Sequence, residues 1–317
     1  MRIAVTGATG FIGAAIARDA ATRGHEVIAL HRSGPPADRL GASWETIERW
    51  LEGGEPFDVV IHAAALRHRH GVSGDDYVRV NGALTEGVIA RAERGRAHLV
   101  HVSSISVYGW PHPRHLPIDE TFPFNPIGPY GASKVASEEL VMRGRVPWSI
   151  VQPSITYGPG DTNGMIDKMM RMIARNAFII PGLGRTRVQL IYIDDLARLT
   201  VDAALKQLPA ERFICTFRDP IQVGDLVRRI ARTVHGRIAP VGPPTALLRL
   251  AARGFERLEG LGLFSGREPP LTREKLATIS VDRAYRIDRM RSLLGTEPEV
   301  GYDDGLARTA RAIGLAD

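Results

Sequence analysis

Tyr130 and Lys134 stand four residues apart in Tyr130-Gly131-Ala132-Ser133-Lys134, which opens a stretch of helical pattern running through Val141. At that spacing both side chains project from one face of a helix. A phenol, with an ordinary pKa of about 10, is a poor base at neutral pH, but a neighbouring ammonium favours the phenolate. The pair can therefore exchange a proton with an alcohol or carbonyl oxygen. Upstream, Ser103-Ser104-Ile105-Ser106 offers hydroxyls to hold that same oxygen. The chain has four lysines among its 41 basic residues, so a lysine at this spacing from one of seven tyrosines stands out from the background.

These groups need rigid elements behind them. The serines follow His98–Val102, an apolar strand, and Phe57–His62 is another, leading into Ala63, Ala64 and Ala65, whose small side chains let a ribose lie against the backbone. The N-terminal segment is more specific. Arg2–Thr6 is a short buried strand, Gly7-Ala8-Thr9-Gly10-Phe11-Ile12-Gly13 a glycine turn, Ala14–Arg23 a helix stopped by Gly24, and Glu26–Leu30 a second strand. This succession is the βαβ unit of a dinucleotide-binding domain. Gly7 permits the tight turn, Gly10 lets backbone approach a pyrophosphate, and Gly13 lets the helix pack closely. The helix N-terminus offers free N–H groups and a positive dipole end to the phosphates.

The second strand ends in His31-Arg32-Ser33, with no acid. An NAD site places Asp or Glu there for the ribose 2′-hydroxyl, whereas a 2′-phosphate needs a cation. Arg32 can grip such a phosphate bidentately and Ser33 can add a hydroxyl, so NADP(H) is expected in preference to NAD(H). Between His31 and Phe57 there is little room for a third strand, and that crossover is expected to be abbreviated.

Taken jointly, TGATGFIG (Thr6–Gly13), HAAA (His62–Ala65), Asn81, SSISVYG (Ser103–Gly109), YGASK (Tyr130–Lys134), QPSITYGPG (Gln152–Gly160) and YIDDLA (Tyr192–Ala197) resemble the extended short-chain dehydrogenase/reductase superfamily, the NAD-dependent epimerase/dehydratase family. Leu293-Leu294-Gly295, Pro298 and Gly305-Leu306 resemble its closing pattern. The resemblance implies an α/β fold: a Rossmann-type doubly wound parallel sheet over residues 1–155, with returning segments near 187–217. A smaller, discontinuous substrate-binding lobe would come mainly from 156–317. It implies Ser104, Tyr130 and Lys134 as catalytic residues, with Asn81 as a fourth member that kinks its helix and steadies a proton-relay water. Implied cofactor contacts are Gly7, Thr9, Gly10, Phe11, Ile12 and Gly13 in the turn, and His31, Arg32 and Ser33 after the second strand. Ala63, Ala64, Ala65, Tyr130, Lys134, Pro153 and Ile155 complete them. A homodimer through the helices following Asn81 and Tyr130 is likewise implied.

Family members acting on sugar nucleotides resemble one another in an arginine six residues before the first Asp of the YIDD segment; here that place is Val188, with Arg185 and Arg187 out of step. The string Arg187–Tyr192 is more similar to the 3β-hydroxysteroid dehydrogenase-like branch, whose substrates are less polar ring alcohols and ketones. Ile105 and Ser106 stand where dehydratases carry an acidic pair, which argues against dehydration. The expected activity is hydride transfer at a secondary alcohol or ketone. Nucleotide-sugar epimerisation is the alternative. A non-catalytic dinucleotide-sensing scaffold is a third reading, and it would not need Tyr130 and Lys134.

Downstream, Pro153–Pro159 reads as a loop leaving the sheet, and Met165–Ile173 as a Met-rich helix that packs in the interior or lines an adaptable pocket. Pro243–Phe264 is amphipathic, leucines on one face and arginines on the other: a substrate-lobe helix first, otherwise a lid or a membrane-surface helix. Breaks at Gly182–Gly184 and Gly242–Pro244 read as loops.

Composition bounds the rest. With 317 residues, 44% hydrophobic and 24% charged, the chain is neither disordered nor fibrous. Its net charge of +6 comes from scattered arginines, which argues against nucleic acid; Arg67-His68-Arg69-His70 reads as a solvated loop. The single Cys215 excludes a disulfide framework and a multi-cysteine zinc site; no metal is expected, and a reducing cytoplasm fits. No apolar run reaches the roughly 18–20 residues of a membrane span, and Met1-Arg2 enters the first strand directly, unlike a signal peptide.

Overall fold

In the computed structural model, strand β1 (Arg2–Thr6) is buried from Ile3 onward, as its unbroken apolar run requires of a strand covered on both faces. Around it lie β2 (Glu26–His31), β3 (Ser43–Thr46), β4 (Val59–His62), β5 (His98–Val102), β6 (Trp148–Pro153) and, after β7 (Ile155–Tyr157), β8 (Arg187–Val188) and β9 (Leu190–Tyr192), β10 (Glu211–Cys215). Seven of these form one sheet in the order β10-β6-β5-β4-β1-β2-β3, every neighbouring pair parallel. This is the Rossmann-type doubly wound arrangement, with the order reversing beside β1. The structure describes residues 1–35, 40–66, 74–162, 164–180, 184–238, 242–261, 263–264, 269 and 271–316. Arg67–His70 and most of the 182–184 break therefore lie outside the described residues.

Strand alternation assigns side chains to the two faces. Ile3, Val5, Val27, Ala29, Val59, Ile61, Val100 and Val102 join the core under α1 (Phe11–Thr22) and, later in the chain, α6 (Ile193–Lys206). Ala4, Ile28, Val60, Leu99 and Ile150 face the other way, onto α2 (Ile47–Glu52), α3 (Gly74–Gly95) and α4 (Gly128–Arg143). The third strand is present but four residues long, and no helix occurs among the described residues of the crossover that precedes it.

The segment read as a loop after Pro153 is partly strand. Ile155–Tyr157 (β7) pairs in parallel with β9, whose last residue, Tyr192, leads directly into α6. A second small sheet joins β8 to β11 (Ile221–Gln222). Helices α5 (Met165–Ala174), α7 (Val223–Thr233), α8 (Thr245–Gly260), α9 (Arg273–Ser280), α10 (Asp288–Leu294) and α11 (Tyr302–Ala312) complete the chain. On α5, Met169 and Met170 are buried in the main core while Met172 is exposed, so interior packing takes most of its methionines. No helix among the described residues is long and apolar enough to cross a membrane.

Candidate active site

The glycine turn is built by contacts that exclude side chains. Gly7 has φ +71°, and a Cβ there would lie 2.8 Å from the Ala64 nitrogen. A Cβ on Gly13 would lie 2.2 Å from the Gly7 carbonyl oxygen, so α1 rests directly on the turn. Gly10 caps α1 in an extended conformation, and no side chain caps this helix, which leaves its first-turn amides for an anion. Thr9, Phe11 and Ile12 belong to the same turn. The cradle fits a dinucleotide pyrophosphate by its shape and by its donors.

At the end of β2, Arg32 and Ser33 are exposed, and His31 is held by a hydrogen bond from the Gly34 N–H to its Nδ1 (2.9 Å). Ala63, Ala64 and Ala65 leave β4 half-buried beside the turn. Pro153 ends β6 and Ile155 begins β7, both facing the same end of the sheet as the turn. Parallel strands converge their C-terminal ends, which is where open α/β sheets bind ligands.

A polar chain ties these parts together. The Ala64 N–H donates to Thr6 Oγ1 (3.1 Å), Thr6 Oγ1 and His62 Nδ1 are 2.8 Å apart, and His62 Nε2 lies 3.2 Å from Thr85 Oγ1. The Thr85 hydroxyl donates to the Asn81 carbonyl (2.7 Å), which leaves its oxygen to accept the Nε2 proton of His62. Burial brings the His62 pKa down to about 3, so the ring is neutral and its bare Nδ1 accepts from the Thr6 hydroxyl. Helix α3 runs through Asn81 without interruption. The Asn81 amide oxygen accepts the Leu66 N–H (2.6 Å), and its nitrogen donates to Ser133 Oγ (3.0 Å). Asn81 therefore clamps the alanine segment to α4, a tie that no spacing in the sequence announces.

Helix α4 begins at Gly128 with Pro129 in its first turn, and carries Tyr130, Lys134 and Glu138 at successive i, i+4 positions. Tyr130 is half-buried. Lys134 is buried, and Nζ donates to the Val102 carbonyl at the end of β5 (2.8 Å), next to Ser103 and Ser104. Burial lowers the lysine to about 8, with the Glu138 carboxylate opposing the shift. Ser104 is half-buried and caps the following 3-10 turn (Ile105–Tyr108) by accepting the Ser106 N–H at 3.1 Å.

Glu138, bonded to Ser103, is a neighbour of Lys134 that the sequence does not single out. Glu138 is fully buried; the Ser103 hydroxyl donates to it, Gln152 Nε2 donates to both its oxygens (2.9 and 3.1 Å), and Arg212 stands 3.6 Å away. Desolvation pushes the Glu138 carboxyl upward against these partners. Its spacing is visible in the sequence, a third polar residue one turn beyond Lys134 on the same helical face. His101, beside His62 with ring centroids 5.3 Å apart, is buried and held neutral by burial.

The sequence model of the NAD dependent epimerase/dehydratase family matches residues 3–213. The chain belongs to this family, and so to the extended short-chain dehydrogenases/reductases. It is 27% identical to the 2-alkyl-3-oxoalkanoate reductase of Stenotrophomonas maltophilia (strain K279a), over 97% of this chain and 98% of the relative. It is 29% identical to the 4-hydroxy-2-methyl-3-oxo-4-farnesyl-3,4-dihydroquinoline-1-oxide ketoreductase of Stigmatella aurantiaca, over 96% and 95%. Among solved structures, MoeE5 in complex with UDP-glucose and NAD shares the fold at a TM-score of 0.76 and 19% identity, over 99% of each chain.

Proposed function

We propose that this protein is an NADP(H)-preferring ketoreductase acting on a ketone, or the matching secondary alcohol, that carries an apolar body. The observation that carries the reading is the placement of Lys134: buried, bonded to the Val102 carbonyl at the foot of Ser104, and one helical turn from Tyr130. Residues 1–155, with the returning 187–217, form the nucleotide half; 156–317 supply most of the substrate lobe. The glycine turn, the alanines after β4, Pro153 and Ile155 would hold the dinucleotide, and Arg32 with Ser33 its 2′-phosphate.

When bound, the reduced nicotinamide supplies a hydride to the carbonyl carbon. Tyr130 gives its phenolic proton to the carbonyl oxygen, and the Ser104 hydroxyl holds that oxygen by a hydrogen bond. An ammonium has three donors, and Lys134 uses one on Val102, which leaves two for the ribose and the phenol side of the site. Its positive charge stabilises the phenolate left after proton transfer. Asn81 and His62 act at a distance by fixing the loop on which the ribose rests.

Three features favour reduction over nucleotide-sugar epimerisation. Val188 is fully buried in β8, so no cation stands at that position for a diphosphate. Arg187 is engaged with Asp282, at 3.2 Å. Both named relatives are reductases.

Incubating the protein with NADPH and a 2-alkyl-3-oxo acid while following the nicotinamide absorbance tests this reading. Stoichiometric loss of absorbance is expected, and Tyr130→Phe should slow it at least about 100-fold with NADPH binding retained. Turnover of a sugar nucleotide without net absorbance change would establish the epimerase instead. NADPH should bind more tightly than NADH, and Arg32→Ala should remove about 1–2 kcal/mol of that difference; equal affinities in the parent would refute the 2′-phosphate assignment.

A further inference from the structure

Ser104 is bonded twice to the short turn that follows it. Its Oγ accepts the Ser106 N–H at 3.1 Å and its carbonyl the Val107 N–H at 3.3 Å. The turn in turn has two supports. One is the start of α4: a Cβ on Gly131, the neighbour of Tyr130, would lie 2.9 Å from the Ser106 carbonyl oxygen, so helix and turn touch backbone to backbone. The other is apolar, since Ile105, Val107 and Tyr108 are buried in one cluster with Ile118, Ile214 and Tyr285. Where the turn lies therefore sets where the Ser104 hydroxyl stands relative to Tyr130.

Tyr285 enters this cluster from an extended strap, residues 283–286, that is fastened along both edges. On one edge the Ile118 N–H donates to the Ala284 carbonyl (3.0 Å) and the Arg286 N–H to the Ile118 carbonyl (2.8 Å), a single parallel bridge. On the other, the Arg283 N–H donates to the Arg187 carbonyl (2.8 Å), and Gln189 grips the Tyr285 backbone. Gln189 is buried between β8 and β9. Its Oε1 accepts the Tyr285 N–H (2.5 Å), and its Nε2 donates to the carbonyls of Phe217 (2.8 Å), Arg218 (3.1 Å) and Tyr285 (3.3 Å). Only an amide meets both demands: a glutamate would set an oxygen against three carbonyls, and a leucine would leave every one of these groups unpaired. The Tyr285 hydroxyl has no hydrogen-bond partner among the described residues, so what this residue brings to the cluster is its ring.

We propose that Gln189 and Tyr285 are positioning residues for Ser104: Gln189 locks the strap in register, and the strap seats the Tyr285 ring in the cluster that supports the serine turn. This rests on Ser104 holding the reacting oxygen, as proposed above. It gives late segments of the chain a part in the chemistry itself, because a displacement of about 1 Å at a reacting group costs about 100-fold in rate.

A double-mutant cycle on the full-length protein tests the proposal, read as kcat for the NADPH-dependent reduction beside NADPH affinity. Y285L should lower kcat about tenfold and Q189E at least as much, with NADPH affinity within about twofold of the parent, and Y285F should keep parental kcat. In an S104A background Y285L should lower the remaining rate less than about twofold, because the group it positions is gone. The same factor in both backgrounds, parental kcat in Y285L, or a loss in Y285F equal to that in Y285L would overturn the proposal. Parental kcat in S104A would overturn the assignment of Ser104 itself, and the proposal with it. Amide hydrogen exchange at Ser106 and Val107, the two N–H groups that Ser104 holds, reads the turn without any turnover. Both should exchange about tenfold faster in Y285L and in Q189E while the amides of β1 keep their rates. Unchanged exchange at these two amides would overturn the proposal whatever the substrate is.

Discussion

Lys134 is held out of water on the inner face of α4, and its ammonium is easier to deprotonate than a free lysine because nothing solvates it fully. Its value of about 8 lies below the 10.5 of the unfolded chain, so the unfolded state binds the extra proton between those values. The cost to folding is present in full below pH 8 and is relieved as pH rises toward 10.5. Lys134→Met should therefore stabilise the protein at pH 7 by about 2 kcal/mol, after allowance for the lost bond to Val102, and should abolish turnover. Urea denaturation at pH 7 and pH 10 measures both parts: the advantage of the variant should shrink at the higher pH. Glu138 acts on the same group from one turn further along. Its carboxylate raises the lysine's affinity for a proton, so Glu138→Gln should move the basic limb of the kcat profile toward lower pH. A merely structural glutamate would change stability and leave that limb in place.

Helix α1 and its glycine turn are legible in the sequence, because an atom-scale constraint is written into residue type. Gly13 meets the Gly7 carbonyl so closely that no side chain fits. Gly13→Ala should push α1 off the turn, cost about 2 kcal/mol or more in urea unfolding, and weaken cofactor affinity at the same time. The pairing of Tyr130 with Lys134 was legible for a similar reason, since helical spacing is visible in a string. Strand β7 was not, because a three-residue parallel pair with β9 joins segments far apart in the chain and leaves no local period. The clamp from Asn81 to Leu66 and Ser133 is hidden in the sequence as well, because its partners lie on a loop and on another helix. The abbreviated crossover before β3 was anticipated from length alone. Glu138 lay in between, its spacing visible and its burial not.

Across the whole molecule, three imidazoles sit inside the sheet. Burial brings His62 to about 3 and His98 to about 4, and places His101 well below its ordinary value. All three stay neutral in the folded protein while the unfolded chain takes up protons below pH 6.5, so stability is lost as pH falls through this range. At pH 5 the loss is about 2 kcal/mol per imidazole, opposed by Glu120 and Glu138, whose buried carboxyls gain protons more readily when folded. Urea midpoints at pH 7.5 and pH 5 should differ strongly, and His98→Asn should flatten the slope. The sheet also has a history in time. Its last strand, Glu211–Cys215, covers the edge of β6, yet the ribosome reaches it only after adding the whole stretch from 153 to 211. At cellular rates of synthesis the nascent chain displays the Trp148–Pro153 edge for about 3–12 seconds, long enough for pairing with a neighbouring nascent chain. Slowing translation in that interval should cost soluble yield, and a fragment ending at 155 should keep that edge open and aggregate.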